Sequence, residues 1–164
     1  MCRVRACESP LAGTFRAGAL LSPPSDRTSQ RGEAVARARP YTILVVEDEP
    51  AVADLLVTLL RDEGYLADLA RDGAAAISLI DQRRAAAQSY HAVLLDMMLP
   101  GVAGGEVLAH SLAVQRAAPV IAISADPGAL GKALALGATA SIGKPFDIAD
   151  LLAVIERHCV PHLG

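Results

Sequence analysis

The 164-residue chain has no tryptophan, and aromatic residues make up only 3% of it. A core must therefore be built from Ala, Val, Leu and Ile. Hydrophobic residues reach 52%, and a chain of this length suits one ordinary domain that needs no metal or disulfide as a staple. The three cysteines, Cys2, Cys7 and Cys159, show no regular spacing. An odd count is not a disulfide framework, and Cys2 and Cys7 have no second pair of ligands nearby to complete a zinc site. A reducing, cytoplasmic compartment is the simpler expectation. No apolar run approaches the roughly 18 residues that a membrane helix requires. The longest clean stretches, such as Ala92–Leu95 and Val120–Ile123, are strand-sized.

A basic face is missing as well. The net charge is −3, and its distribution says more than its total. Residues 1–40 hold seven arginines against Glu8, Asp26 and Glu33, whereas residues 41–164 hold eight Lys/Arg against fifteen Asp/Glu. The folded part is acidic, which argues against direct nucleic-acid binding.

Residues 1–40 show no sustained apolar period and contain Ser22-Pro23-Pro24-Ser25, scattered glycines and many arginines. They read as a disordered N-terminal extension, with 41–164 as the domain. Glu8, Pro10 and Arg16 interrupt any secretory signal ahead of the apolar patch at Gly18–Leu21. Composition leaves open an organelle transit peptide or a start placed too far upstream.

From Tyr41 onward the pattern is regular. Thr42–Val46 is a β-branched and aliphatic run suited to a strand buried on both faces. Pro50 fits the first turn of a helix, Val52, Leu55, Leu56, Leu59 and Leu60 follow at helical spacing, and Gly64 stops it. Tyr65–Ala70 reads as a second strand, Asp72-Gly73 as a turn, and Ala74–Arg84 as a second helix. His91–Leu95 is a third strand ending at Asp96. Gly101–Gly105 reads as a loop and Glu106–Gln115 as a helix. Pro119–Ile123 is a fourth strand ending at Ser124, and Pro127–Leu136 a helix closed by Gly137. Ala140–Ile142 is a fifth strand ending at Lys144-Pro145, and Ile148–Cys159 the last helix. Strands alternating with helices imply a doubly wound five-stranded parallel α/β sheet with helices on both faces, in the flavodoxin-like order 2-1-3-4-5.

The polar residues fall at the strand ends. Glu47-Asp48 follows the first strand, Asp96 the third, Ser124 the fourth and Lys144 the fifth. In an open parallel sheet these positions line the crevice at the carboxyl edge, where ligands bind. Three carboxylates in one pocket repel, and a single Lys offsets part of that charge. A divalent cation with oxygen ligands, Mg²⁺ or Mn²⁺, would resolve it, and the absence of His and Cys there argues against zinc. A metal, a Lys and a hydroxyl suit phosphoryl oxygens, and a carboxylate is itself a competent nucleophile, giving an aspartyl phosphate. Asp96 stands alone at the end of the central strand and is the candidate acceptor.

The pieces Ile43-Leu44-Val45-Val46-Glu47-Asp48-Glu49-Pro50, Val93-Leu94-Leu95-Asp96-Met97-Met98-Leu99-Pro100-Gly101, Ile121-Ala122-Ile123-Ser124-Ala125 and Gly143-Lys144-Pro145-Phe146 occur in one order and spacing over the whole folded part. Together they make the chain resemble the receiver domain of two-component response regulators. The resemblance implies that Asp96 takes a phosphoryl group from a phosphohistidine on a histidine kinase or phosphotransfer protein. It implies that Glu47, Asp48, Asp96 and the Met98 carbonyl hold Mg²⁺, Glu47 mainly through water. It implies further that Ser124 moves toward the phosphate, that Lys144 pairs with it, and that the Lys144–Pro145 bond is cis. A stand-alone receiver would signal by contact with a downstream protein, as a monomer or a weak phosphorylation-dependent dimer, with no membrane attachment and no enzymatic turnover of its own. Two residues depart from the family pattern. Glu47 stands where Asp is frequent. Ser141 stands three residues before Lys144, where a Tyr or Phe usually moves inward with the hydroxyl residue.

Blander roles exist for each residue. Asp48 would cap the helix that starts near Pro50, Asp96 would serve the turn before Pro100, Ser124 would cap the next helix, and Lys144 would be a solvated charge. Met97, Tyr65 and Phe146 read as packing, and His91, His110, His158 and His162 as surface or edge residues. A haloacid-dehalogenase-type phosphatase would need a second Asp at position 98, where Met98 stands. A flavin site would need a Ser/Thr/Gly-rich loop in place of Glu47-Asp48-Glu49. An unphosphorylated receiver-like scaffold is the remaining alternative.

Overall fold

A computed structural model describes residues 41–115 and 117–159. The expectations for residues 1–40, including Cys2 and Cys7, and for His162 lie outside the described residues.

Five strands and five helices alternate: β1 Thr42–Val46, α1 Pro50–Asp62, β2 Leu66–Ala70, α2 Gly73–Ala85, β3 Ala92–Asp96, α3 Gly104–Val114, β4 Val120–Ser124, α4 Pro127–Leu136, β5 Ala140–Gly143 and α5 Ile148–Cys159. All strand pairs are parallel, in the order β2-β1-β3-β4-β5. The expected topology is the one observed.

The packing explains why the central strands carry no polar alternation. Successive side chains on a strand point to opposite faces. Ile43, Val45, Leu94, Ile121 and Ile123 go to one side, where they meet Leu56 and Leu60 of α1 and Leu151 and Ile155 of α5. Leu44, Val46, Val93, Leu95, Val120 and Ala122 go to the other, against Ala76 and Ile80 of α2, Val107 and Leu108 of α3, and Ala133 of α4. Strands β1, β3 and β4 are buried throughout, whereas the edge strands β2 and β5 are only partly covered. Truncating any of the fully buried Leu or Ile side chains would cost about 2–5 kcal/mol. Tyr65 and Phe146 pack as partly buried residues against the first of these cores.

Local signals set the boundaries. Pro50 opens α1 and Pro127 opens α4 at positions where no helical N–H is required. Asp72 caps α2 by accepting from the Ala75 amide at 2.7 Å. Gly64, after α1, and Gly137, after α4, take positive φ of 86° and 109°. Two expectations need correction. Gly73, read with Asp72 as a turn, is the first residue of α2. Residues Gly104 and Gly105 belong to helix α3 rather than to the preceding loop, which ends at Ala103. Glycine read as a loop signal there, but the reason for Gly104 is close packing.

Candidate functional site

The ladder of the sheet carries the polar residues into place one step beyond the strands. Glu47 N–H donates to the Ala70 carbonyl at 3.1 Å, Met97 N–H to Ile123 at 2.9 Å, and Lys144 N–H to Ser124 at 2.8 Å. Asp96 is itself the last residue of β3 and pairs with Ile123, and Ser124 pairs with Gly143 of β5. Strand β3 lies between β1 and β4, so the ends of β1, β4 and β5 converge around Asp96.

Glu47, Asp48 and Asp96 offer carboxylate oxygens that all lie within 4.8 Å of one another, the one such acidic group among the described residues. Lys144 Nζ donates to Asp96 Oδ2 at 2.6 Å and to Glu47 Oε2 at 2.8 Å. The other Asp96 oxygen, Oδ1, accepts from the Met98 amide at 2.8 Å. Glu47, Asp96 and Ser124 are 1%, 5% and 1% exposed, whereas Asp48 faces solvent. The longer side chain of Glu47 lets it reach Lys144 directly.

Burial raises Glu47 above the ordinary carboxylate value, and the charge of Asp96 adds to this, against the opposing bond from Lys144. For Lys144, burial works against the ammonium, but its bonds to Asp96 and Glu47 outweigh that and hold it above the ordinary lysine value. It is therefore a fixed cation at neutral pH.

Three of the bland alternatives fare poorly, whereas Asp96 does serve its turn through the bond from the Met98 amide. The N-cap of α1 is Glu49 and no side chain caps that helix, so Asp48 does not serve as the cap. Lys144 is engaged, with its side chain 19% exposed. The N-cap of α4 is Asp126, not Ser124. Asp126 was not singled out in the sequence, although an Asp directly before Pro127 is a readable helix-start signal. Its amide donates to Ser124 Oγ at 3.1 Å, and its Oδ1 accepts from Gly128 at 2.8 Å. A chain of two hydrogen bonds thus joins the pocket hydroxyl to the first turn of α4. Ser141 sits half-buried on β5 opposite Ala122, and no ring occupies that position. The Lys144–Pro145 bond is cis. His91 lies at the edge expected of it, where its Nδ1 accepts from the Thr42 amide at 2.9 Å. His110 pairs with Asp81 at 2.9 Å.

Three hard oxygen donors, one ammonium and a hydroxyl in this arrangement fit a divalent cation of the Mg²⁺ kind and an oxyanion beside it. The comparisons with known proteins agree with this chemistry. The response regulator receiver domain model matches residues 43–156, and the chain belongs to that family. It is 40% identical over 117 residues to the sensory transduction protein RegX3 of Mycobacterium tuberculosis, covering 70% of this chain and 49% of that one. It is 35% identical over 136 residues to the transcriptional regulatory protein TcrA of the same organism, covering 79% and 52%. The chain thus spans about half the length of these curated relatives. Among solved structures it resembles the receiver domain of the sensor histidine kinase PA1611 from Pseudomonas aeruginosa, which holds a magnesium ion in its active-site cleft. That likeness has a TM-score of 0.66 and 30% identity, over 74% of this chain and 98% of the other. A CheY-like receiver from Methanospirillum hungatei matches with a TM-score of 0.66 and 26% identity, over 73% and 93%. No helix among the described residues is long and apolar enough to cross a membrane.

Proposed function

We propose that this receiver accepts a phosphoryl group on Asp96 from a phosphohistidine of a histidine kinase or phosphotransfer protein. The observation that carries the reading is the position of the Asp96 carboxylate. It ends the central strand, bonded to Lys144 Nζ at 2.6 Å and the Met98 amide at 2.8 Å, with the acids of Glu47 and Asp48 in the same cluster.

Glu47, Asp48, Asp96 and the Met98 carbonyl would hold Mg²⁺, with Mn²⁺ as a substitute of the same donor preference. When bound, the ion would neutralise phosphoryl oxygens. The residues of the chain do the rest. A carboxylate oxygen of Asp96 attacks phosphorus, forming the acyl phosphate P–O bond as the P–N bond of the donor breaks. The donor imidazole keeps the electron pair. Lys144, already beside Asp96, exchanges its carboxylate contacts for phosphoryl oxygens. Ser124 donates a hydrogen bond from its hydroxyl to another phosphoryl oxygen. The Ser124 hydroxyl also accepts the Asp126 amide, so this shift is transmitted to the N-terminus of α4. Output then passes by protein contact rather than by direct binding of nucleic acid, given eight Lys/Arg against fifteen Asp/Glu in residues 41–164.

The test is incubation with acetyl phosphate and Mg²⁺ followed by intact mass. One added phosphoryl group is expected, lost in Asp96→Asn and lost on chelation. The absence of a ring at position 141 favours an unphosphorylated scaffold as the second reading, and no mass gain in the unmodified chain would decide for it. Amide exchange on the face made by Ala129–Leu136 and Ala140–Ile142 should change on phosphorylation, and an unchanged profile there would rule that face out as the output.

A further inference from the structure

The loop from Met97 to Ala103 leaves the acceptor strand and carries Met98, whose amide holds Asp96. Two glycines press on this loop from different helices. Gly104 begins α3, and a Cβ added there would stand 2.7 Å from Met97 Cα and 2.8 Å from the Asp96 carbonyl oxygen. Gly73 begins α2, and a Cβ added there would stand 2.5 Å from the Val102 carbonyl oxygen, 2.8 Å from Val102 Cβ and 3.0 Å from Val107 Cγ2. Neither glycine takes a positive φ, unlike Gly101 between them at 73°, where an added Cβ would meet nothing. Backbone conformation therefore explains Gly101 and does not explain Gly73 or Gly104. Alanine is also the better helix former. What remains is close approach. Gly73 is held in turn by its own capped helix, because Asp72 accepts from Ala75 at 2.7 Å.

We propose that Gly73, the first residue of α2 and outside the strand-end cluster, is a positioning residue for the chemistry at Asp96. Its missing side chain lets the start of α2 seat directly on the Val102 backbone. That seat sets the far side of the loop, and Gly104 sets the near side where it meets Asp96 and Met97. Between these two clamps the path of the loop, and with it the Met98 backbone, has little freedom. An added methyl at 73 meets backbone oxygen, which a change of rotamer cannot move. Relief requires backbone movement, which the capped start of α2 opposes, so the loop is expected to take it up and to carry the Met98 backbone with it. The inference rests on the reading of Asp96 as phosphoryl acceptor and of the Met98 carbonyl as an Mg²⁺ ligand.

The test compares the full chain with Gly73→Ala and with Gly131→Ala, a control on α4 where an added Cβ meets nothing within 4 Å. Three quantities are measured: Mg²⁺ affinity by calorimetry, the initial rate of phosphoryl uptake from acetyl phosphate at saturating Mg²⁺, and the melting curve. A misplacement of about 1 Å costs on the order of a hundredfold in rate, so a loop displaced by part of that should lose at least about fivefold. Gly73→Ala is expected to melt cooperatively, bind Mg²⁺ at least about fivefold more weakly and react at least about fivefold more slowly, with Gly131→Ala within about twofold of the unmodified chain. A folded Gly73→Ala with unchanged Mg²⁺ affinity and unchanged rate overturns the proposal, as does an unmodified chain that binds no Mg²⁺. If the unmodified chain binds Mg²⁺ but takes no phosphoryl group, the reading of Asp96 fails, and the Mg²⁺ affinity alone decides the role of Gly73. If Gly73→Ala does not fold, Val102→Gly removes the Cβ on the other side of the seat and frees its backbone, and unchanged Mg²⁺ affinity and rate in that variant overturn the proposal.

Discussion

Lys144→Met removes the one ammonium from a cluster of three carboxylates and leaves most of the aliphatic stem. Two charge-assisted bonds are lost, at 2.6 Å to Asp96 and 2.8 Å to Glu47. Both acceptors are almost fully buried, which places the change among those that strand a buried charge, at roughly 3–5 kcal/mol. Protonation sets a ceiling on that loss. For a carboxyl with an ordinary value near 4.3, taking up a proton at pH 7 costs about 3.7 kcal/mol, at about 1.36 kcal/mol per pH unit. Glu47 already lies above that ordinary value, and the Lys144 side chain is 19% exposed, so water reaches part of the site. The expected loss at pH 7 in chelator is therefore about 2–3 kcal/mol. At about 4 °C per kcal/mol for a domain of this size, that lowers the melting temperature by about 8–12 °C. Saturating Mg²⁺ supplies positive charge to the same oxygens, and the loss should fall below about 1 kcal/mol. Lowering the pH to 5 in chelator should also shrink it, because protonation there costs only about 1 kcal/mol. The assay is thermal melting by circular dichroism in four conditions, with and without Mg²⁺ at each pH. An equal loss with and without Mg²⁺, or no loss in chelator, refutes the picture of Lys144 as the resident counter-charge.

Glu47→Gln tests the same cluster through its pH dependence. A raised carboxyl contributes stability below its unfolded value and loses it as the pH rises through the folded value. Urea midpoints in chelator should therefore shift in favour of Glu47→Gln from about pH 4.3 upward and then level off, and a flat difference would contradict this. Gln115→Leu leaves the buried Tyr90 amide without its 2.8 Å acceptor but also removes an amide nitrogen that has no partner among the described residues. These effects oppose, so chemical denaturation should show a net loss of about 1 kcal/mol, and a gain in stability would reject the bond as a stabilising contact. The Cys159 thiol is pushed up to about 12 by burial. Peptide mapping after iodoacetamide at pH 8 should find it unmodified in the native protein and alkylated in urea, and modification of the folded chain would show that α5 opens there.

The sheet was legible because its central strands are apolar on both faces, and such runs between turn signals admit few other readings. The site was legible for the same reason. A buried strand has no use for Asp96 or Ser124 at its end unless they meet something. What the sequence hid was contact across the chain. The 2.8 Å bond from Lys144 to Glu47 joins residues 97 positions apart, and no local pattern foretold it. Gly104 and Gly105 looked like loop because glycine is a poor helix former, and only the approach of Met97 explains a glycine at the first position of α3. The side chain of Asp68, on edge strand β2, accepts at once from Tyr90 Oη at 3.0 Å and Arg83 at 3.1 Å. No local pattern announces that cluster, since its members come from two strands' surroundings and a helix end.

The placement of β3 divides the molecule into parts that differ in how readily they open. Its backbone is paired on both flanks, with β1 as far as Leu95 and with β4 as far as Asp96, so releasing the strand that carries Asp96 would require opening the sheet at its middle. Helix α4 has one fully buried residue, Ala133, and β5 has a neighbour on one side only. Amide exchange in the resting protein should accordingly be slowest in β3 and fastest in α4 and β5, spanning most of the range between local and global opening. On this ordering the proposed acceptor ends the strand expected to open least, and the hydrogen-bonded chain from Ser124 ends at a helix expected to open far more readily. A small change in bonding at Asp126 would then act on a segment held by few buried contacts.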